Sequence, residues 1–234
     1  MPQSTSRSLA MSRRSLIGGL LSAGGLLAAG PVLARGVSGP HSHRVSFDIR
    51  REGASIGRHA VAFRRSGGHL EVEIEIDISV SLAFIPIFAY SHRNHEVWQG
   101  GRLLSLDSTT DDDGTKYSVT ARALGDSLQV VGSEGEVRVA GDILPTSYWD
   151  ARTVAQTRLL DTQRGRILEV TPRFLGEEFL DGSTVARRHR LSGDLDLDLW
   201  YSPGGEWLKI AFEARGAEVS YSRRGIAGSD KAPG

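Results

Sequence analysis

Residues Leu70–Gly101 read LEVEIEIDISVSLAFIPIFAYSHRNHEVWQGG, and this stretch decides the fold. From Val72 to Leu82 an apolar residue occupies every second position, and acidic residues or serines fill the positions between them. Successive side chains of a strand point to opposite faces, so the pattern predicts a long β-strand with one apolar and one acidic face. An apolar corner around Pro86 follows, and a polar strand then runs back to Trp98. The stretch therefore predicts a long β-hairpin.

The rest of the chain repeats this alternation between turn signals. Glycine and aspartate clusters recur at intervals of roughly 8–14 residues, a spacing typical of antiparallel β-structure. Residues 141–163 lack alternation, and they predict a crossover with a short helix that Ser147 caps and that runs through Val154. We therefore expect an all-β protein with one large curved antiparallel sheet, closed into a barrel or a half-barrel, of about ten to twelve strands. The short helical crossover segment is expected to plug or cover it.

The first 34 residues have the features of an export signal. Arg13 and Arg14 form a twin-arginine pair, an apolar run follows, and small residues precede a cleavage site at Ala34. This order predicts a twin-arginine signal peptide that is cleaved near Ala34, with an ordinary secretory signal or an uncleaved anchor as the alternatives. We expect a periplasmic protein in which residues 35–43 are a flexible linker, residues 44–224 one β domain and residues 225–234 a disordered tail.

The composition excludes several functional classes. Without the first 34 residues, 28 − 3 = 25 basic residues face 28 acidic ones, which argues against a general electrostatic affinity for nucleic acid or anionic lipid. The sequence has no cysteine, so thiol catalysis and Cys-based metal sites are excluded. It contains neither a nucleotide-binding glycine motif nor a G-x-S-x-G elbow. We expect no cofactor, no metal and no stable membrane span after cleavage.

The returning strand of the hairpin holds the strongest candidate for a polar site. Tyr90, His92, Asn94 and Glu96 share one face because their separations are even, whereas His95 points to the other face. The four side chains either line a pocket, in which Glu96 can act as a general acid or base, or form a solvated strand face. Their spacing does not fit the H-E-x-x-H zinc motif.

Acidic runs elsewhere are predicted to be structural. Two alternating ladders are expected to face water and to pair with arginines of neighbouring strands. They are Glu71, Glu73, Glu75 and Asp77, with Arg58, Arg64 or Arg65 as partners, and Asp194, Asp196 and Asp198, with Arg188, Arg190 or Lys209 as partners. Residues 111–114 (DDDG) lack the spacing of a calcium loop, and they predict a hairpin turn.

Apolar side chains give two further candidates. Residues 84–88 form an apolar corner that either seals one end of the barrel or makes an exposed patch for lipid or a partner. Its candidate contact residues are Phe84, Ile85, Ile87 and Phe88. The aromatic side chains either belong to the core or provide surface for an apolar ligand; they are Trp98, Tyr148, Trp149, Trp200 and Trp207.

From Phe47 to Tyr221 the sequence resembles a family of exported bacterial proteins described only as a domain of unknown function. The shared motifs are IRREG (49–53), YSHRNHEVWQGGRL (90–103), DDDG (111–114), PTSYWD (145–150), DTQRG (161–165), LWY (199–201) and WLKIAF (207–212). The resemblance implies functional positions at Tyr90, His92, Glu96, Trp98, Tyr148, Trp149 and Gln163, and Asp150 stands where the family pattern has Asn. The sheet plan is also similar to the half-barrels of periplasmic lipoprotein and lipid carriers, an analogy of fold alone.

Three functions are compatible with these features. The first is a non-catalytic periplasmic binding or carrier protein whose concave apolar face holds a hydrophobic or lipid-like molecule. Its candidate ligand-binding residues are Tyr90, His92, Asn94, Glu96, Trp98, Tyr148, Trp149 and Gln163.

The second is an envelope interaction or structural module that uses a sheet edge or the 84–88 corner to contact an envelope protein. The third is a glycan hydrolase or lyase that uses Glu96 or Asp150 with His92, which requires two carboxyl groups within about 10 Å of each other. The lack of catalytic motifs favours the two non-enzymatic functions. The export machinery is an expected partner and nucleic acid is not.

Overall fold

The computed structural model describes residues 41–82 and 84–225. The predicted signal peptide with Arg13, Arg14 and Ala34, the first part of the predicted linker, and the predicted tail beyond Gly225 lie outside the described residues. Within them, the structure is all-β and contains fifteen strands in one sheet. The predicted fold class is confirmed, although the expected count of ten to twelve strands is too low. No helix in these ranges is long and apolar enough to cross a membrane.

The strands follow one another along the chain with short turns. They are β1 (His41–Arg51), β2 (Ala54–Ser66), β3 (His69–Leu82), β4 (Ile85–Gln99), β5 (Arg102–Asp112), β6 (Thr115–Leu124), β7 (Ser127–Gly132), β8 (Gly135–Ala140), β9 (Leu144–Pro145), β10 (Arg158–Leu160), β11 (Ile167–Leu180), β12 (Thr184–Gly193), β13 (Leu197–Tyr201), β14 (Trp207–Ala214) and β15 (Ala217–Arg223). A 3₁₀ helix (Ala151–Ala155) lies between β9 and β10. The first strand already includes His43, whose ring stacks on Phe63 with centroids 4.5 Å apart. The linker prediction is therefore wrong for residues 41–43.

The sheet curves until its two ends face each other. Its strand order is β8-β7-β6-β5-β4-β3-β2-β1-β15-β14-β13-β12-β11-β10-β9, so the edge strands are β8 and β9. These edges are consecutive in the chain, and the step from Ala140 to Leu144 spans at most about 15 Å. The turn after β7 also reaches the opposite end, where the amide of Ser133 donates to the carbonyl of Arg164 at 2.9 Å. The sheet is barrel-like without a continuous ladder between its edges.

The predicted hairpin forms the centre of this sheet. β3 pairs with β4 from His69 opposite Gln99 to Leu82 opposite Ile85. The apolar face of β3 points into the barrel, and the acidic face pairs with arginines outside. Glu75 binds Arg44 at 2.7 Å and Asp77 binds Arg93 at 2.6 Å, while Glu71 pairs with Arg64. The structural interpretation of this ladder is confirmed, and of the predicted arginine partners Arg64 is used.

The second acidic ladder pairs with the predicted arginines, Arg188 and Arg190, but its burial departs from the prediction. All five residues of β13 are buried, so it is not a strand with one solvated face, and it begins at Leu197 rather than Leu195. Its outer face is covered because Trp200 packs with Ala186 and Leu208 in a small second cluster. Asp198 lies beside it, bound by Arg188 and Arg190. Buried charges of this kind need such partners, since desolvation alone costs several kcal/mol.

Residues 141–163, here called the inner segment, pack against the core inside the curved sheet. The predicted helix start at Ser147 is wrong because the carboxylate of Asp150 caps the 3₁₀ helix, accepting from the amide of Arg152 at 2.9 Å. The segment brings β9 and β10 together as a parallel pair, which differs from the fully antiparallel sheet expected. Parallel neighbours need a crossover of about a dozen residues, and the inner segment supplies it. Trp149 and Val154 pack against the core, so the inner segment fills part of the interior of the sheet.

Candidate ligand-binding site

One face of β4 carries a row of inward-pointing side chains that runs along the barrel. In order they are Tyr90, His92, Asn94, Glu96 and Trp98. Four of them are almost fully enclosed: His92 is 3% exposed, Asn94 4%, Glu96 0% and Trp98 2%. The alternative of a solvated strand face is therefore wrong. The even spacing that put these residues on one face in the sequence puts them inside the barrel.

Glu96 joins the barrel wall to the inner segment. Its carboxylate accepts hydrogen bonds from the Trp98 indole at 2.9 Å and from the Asn94 amide at 2.8 Å, both on β4. From the inner segment it accepts one from the Trp149 indole at 3.0 Å and another from Ser147. Burial raises the pKa of Glu96, and these donors act in the opposite direction. We call these five residues the Glu96 cluster.

A tight turn in the inner segment places its aromatic side chains. Tyr148 has a φ of 60°, an uncommon conformation for a residue other than glycine. Its carbonyl accepts a hydrogen bond from the hydroxyl of Tyr201 at 2.7 Å, which holds the turn against β13. Trp149 then packs edge-on against Trp98, with ring centroids 5.4 Å apart. The turn thus directs one aromatic ring to the Glu96 cluster and leaves the ring of Tyr148 facing a pocket.

The pocket occupies the barrel beyond the Glu96 cluster, toward the end that holds the β5–β6 turn. Its volume is about 570 Å³. One side is polar and includes Tyr90, His92, Asn94 and Gln163, while the opposite side is mainly apolar and includes Ile210 and Phe212. The outer end, here called the mouth, carries the exposed charged residues Arg166, Asp194 and Asp196. The arrangement suits a molecule with an apolar body and a polar group.

His59 is the least expected residue in this lining. It is 2% exposed, and neither ring nitrogen has a hydrogen-bond partner among residues 41–82 and 84–225. Its ring lies among aromatic side chains, 5.2 Å from Trp207 and 5.8 Å from Tyr221 between centroids. Burial lowers the pKa of His59 to about 3, with a smaller effect from His92. The imidazole is therefore neutral at pH 7, with one donor and one acceptor nitrogen.

The polar side of the pocket is organised by hydrogen bonds between strands. Nδ1 of His92 lies 2.8 Å from the hydroxyl of Thr110 on β5. Burial lowers the pKa of His92 to about 4, although nearby Asp161 acts to raise it. The hydroxyl of Tyr90 donates to Gln163 at 3.3 Å, and the Gln163 amide donates to Asp112 at 3.3 Å. Gln163 thus ties the inner segment to the wall near the mouth.

The structure brings together all eight residues proposed for ligand binding, in two groups. Tyr90, His92, Asn94, Tyr148 and Gln163 line the pocket. Glu96, Trp98 and Trp149 lie beyond its lining, in the Glu96 cluster, where their polar groups bind one another. Sequence reasoning missed His59, although a signal was present. In RHAVAF, His59 alternates in phase with the apolar Val61 and Phe63, and a strand that buries these two side chains also points His59 inward.

The 84–88 corner does not seal the barrel. Phe84 is 100% exposed, Ile85 66% and Ile87 54%. Phe88 is partly covered by Arg215, whose guanidinium lies 4.9 Å from the ring centroid. The sealing interpretation is therefore wrong, and the corner is an exposed apolar patch.

The geometry offers little to the hydrolase hypothesis. Both oxygens of Glu96 accept hydrogen bonds from fixed donors, and Asp150 is bound to Arg152. Neither carboxylate belongs to the pocket lining. Within the described ranges no group of three or more His, Asp or Glu side chains could hold a metal ion.

Fold and site together define a barrel-like all-β protein with a pocket inside a curved, unclosed sheet. The chain belongs to the family described as a domain of unknown function, DUF6134, which residues 47–224 match. In fold it is similar to the crystal structure of a beta-barrel-like protein of domain of unknown function DUF1849 from Brucella abortus. The TM-score is 0.58 at 11% identity, over 78% of this chain and 95% of that chain. No curated protein matches the chain.

The Glu96 cluster predicts a large stability effect for Glu96→Gln. Both indoles donate to Oε2, so a glutamine that keeps an oxygen there turns its NH₂ group toward Nδ2 of Asn94, which is also a donor. The free energy of unfolding should therefore fall by about 2–3 kcal/mol. Urea unfolding followed by tryptophan fluorescence measures it. Glu75→Gln is the matched control, because Glu75 pairs with Arg44 on the exposed face and should change stability by less than about 1 kcal/mol. Equal midpoints for the two variants would contradict the role given to Glu96.

The buried histidines predict a loss of stability in mild acid. Their folded pKa values, about 3 for His59 and about 4 for His92, lie below the unfolded value of 6.5. The unfolded chain therefore binds more protons between these values, so stability is complete above pH 6.5 and falls as the pH is lowered. Each histidine should account for about 2 kcal/mol between pH 6.5 and 5.

Urea midpoints from pH 7.5 to 5.0 test this dependence. His59→Leu should make the slope shallower, because it deletes one of the two buried histidines with a lowered pKa. His95→Gln should keep the full slope, since His95 lies on the outer face of β4, the strand that carries His92, with 43% of its side chain exposed. An unchanged slope in His59→Leu would show that His59 is not held neutral by the fold.

Proposed function

We propose that this protein is a non-catalytic binding or carrier protein that holds a hydrophobic or lipid-like small molecule inside its curved sheet. The observation that carries the proposal is the pocket itself, since about 570 Å³ within the barrel is bounded by one apolar and one polar wall. Small-molecule sites are typically concave and largely apolar, with a few placed polar groups. The proposal adds that the chain is exported by the twin-arginine pathway and acts in the periplasm, which the Arg13–Arg14 pair and the sequence up to Ala34 support.

Two features of the inner segment support a pocket of fixed shape. The Glu96 cluster anchors the segment at one end through Trp149, and Gln163 anchors it near the mouth through Tyr90 and Asp112. A preformed pocket binds with a smaller loss of conformational entropy than one that must be ordered by its ligand. The wall is therefore ready for a ligand without a large rearrangement.

Binding of N-phenyl-1-naphthylamine, a neutral apolar fluorophore, tests the proposal. The wild-type protein should bind the probe with a rise in fluorescence and one site per chain. Leu195→Trp should weaken binding at least tenfold, because Leu195 lines the pocket near Asp194 and a larger side chain fills it. Leu124→Trp is the matched control: Leu124 is 49% exposed and lies outside the lining, so its binding should equal that of wild type.

Three results would contradict the proposal. One is a lack of probe binding by the wild type, and another is equal binding by the two tryptophan variants. The location is contradicted if the chain, expressed from its own full sequence in a bacterium with the twin-arginine pathway, stays in the cytoplasmic fraction after osmotic shock.

The exposed corner favours a second candidate function, contact with the envelope. Phe84, Ile85 and Ile87 form an apolar patch at the same end of the barrel as the β5–β6 turn, since the amide of Asp113 in that turn donates to the carbonyl of Ala89 at 2.8 Å. Exposed apolar patches are typical of surfaces that contact lipid or another protein. A contact there would hold the pocket end of the protein close to the surface with which it exchanges a ligand.

Co-sedimentation with vesicles of phosphatidylethanolamine and phosphatidylglycerol tests this contact. The double variant Phe84→Ser/Ile85→Ser should lower the sedimented fraction at least threefold relative to wild type. The control is Phe174→Ser/Phe179→Ser, which removes two other exposed phenylalanines, 56% and 67% exposed, from β11. If the wild type does not sediment, or if both variants lose the same fraction, the corner is not a lipid contact.

A further inference from the structure

We infer that the ligand of this pocket is an uncharged amphiphile with hydroxyl groups at its polar end, and that this end lies inward against His59 and Asn94. The inference rests on the proposed function and specifies its ligand. It follows from three polar atoms in the lining, the two ring nitrogens of His59 and Oδ1 of Asn94. All three are buried without a hydrogen-bond partner in the described part of the chain.

The neighbouring Glu96 determines which atom of the Asn94 amide is left without a hydrogen-bond partner. Nδ2 of Asn94 donates to the Glu96 carboxylate at 2.8 Å, and a carboxylate accepts only. The amide oxygen therefore points away from the Glu96 carboxylate, and Asn94 is one of the residues that line the pocket. Asn94 thus offers the pocket an acceptor, and a ligand that fits must offer a donor in return.

His59 offers one donor and one acceptor from the neighbouring part of the wall. It lies on β2, separated from β4 by β3, so the two strands are about 10 Å apart at the backbone. The rings around it, Phe47, Trp207 and Tyr221, hold the imidazole inside the lining. A buried polar group whose hydrogen bond is not made lowers stability, so a ligand that supplies the missing partners is favoured.

Hydroxyl groups meet both requirements because each can donate and accept. A carboxylate cannot donate to the oxygen of Asn94, and a quaternary ammonium cannot hydrogen-bond at all. The charged residues of the lining lie toward the mouth, where Arg166 and Asp196 are exposed and the half-buried Asp161 pairs with Arg166 at 3.2 Å. His59 and Asn94, by contrast, are 2% and 4% exposed. The one carboxylate beside these two residues, Glu96, already accepts hydrogen bonds through both oxygens, so a charged head buried there would be poorly compensated.

Displacement of N-phenyl-1-naphthylamine by three ten-carbon probes tests the inference on the wild-type protein. The probes are 1-monodecanoylglycerol, which carries two hydroxyl groups, methyl decanoate, which carries none, and decanoate, which is charged. The first should displace the fluorophore at a concentration about tenfold lower than either of the others, since one or two hydrogen bonds of about 1 kcal/mol separate them. A purely apolar pocket gives the opposite order, because methyl decanoate is the more hydrophobic of the two esters.

Two variants locate the preference. His59→Leu should weaken the binding of 1-monodecanoylglycerol about tenfold and leave the binding of methyl decanoate unchanged or tighter. Retained binding of the fluorophore shows that the variant is folded. His95→Gln, on the outer face of β4, should behave as wild type. If the fluorophore binds but methyl decanoate or decanoate is preferred, the inference is overturned and the proposed function stands. If neither the fluorophore nor any probe binds, the proposed function itself fails.

Discussion

The architecture depends on one buried carboxylate. Glu96 has no exposed surface, and its oxygens accept hydrogen bonds from two indoles, one amide and one hydroxyl. Indole N–H groups can only donate, so the carboxylate is the form that satisfies them all. Because Trp98 belongs to the wall and Trp149 to the inner segment, the same group fixes how deep the segment lies. The interior is packed around Trp98 and Trp149, and the pocket lies on the side of Tyr90 and His92.

A curved sheet of this size would otherwise enclose either a continuous core or an open trough. Strand alternation decides only whether a side chain points in or out. Position along the barrel decides the rest: Val72 and Trp98 are core, whereas Ile76 and His92 on the same strands line the pocket. The inner segment makes this division because it fills one end of the interior and leaves the other to be lined by polar side chains.

The sequence predicted what depends on local pattern. Alternation in residues 70–101 gave the hairpin, the inward row from Tyr90 to Trp98 and the outward acidic ladder, because period-two patterning is a property of each strand alone. It did not reveal that β13 is buried on both faces, since Trp200 is covered by residues of other strands. The cap at Asp150 rather than Ser147 had a similar cause: Ser147 bonds Glu96, a contact made across 51 residues of chain.

The pocket and the Glu96 cluster share Asn94, and this sharing explains why the pocket is polar where it is deepest. An apolar residue at position 94 would fit the core pattern of Val72 and Ile74 on the adjacent strand, but it would remove one donor from Glu96. Because the amide nitrogen donates to the carboxylate, the amide oxygen is left without a partner in the described part of the chain, at a residue that lines the pocket. His59 adds polar atoms that serve no contact within the described fold, which costs stability in the absence of a ligand. The architecture explains the first polar group, whereas no contact within the described fold explains the second, and the proposed ligand would supply its hydrogen-bond partners.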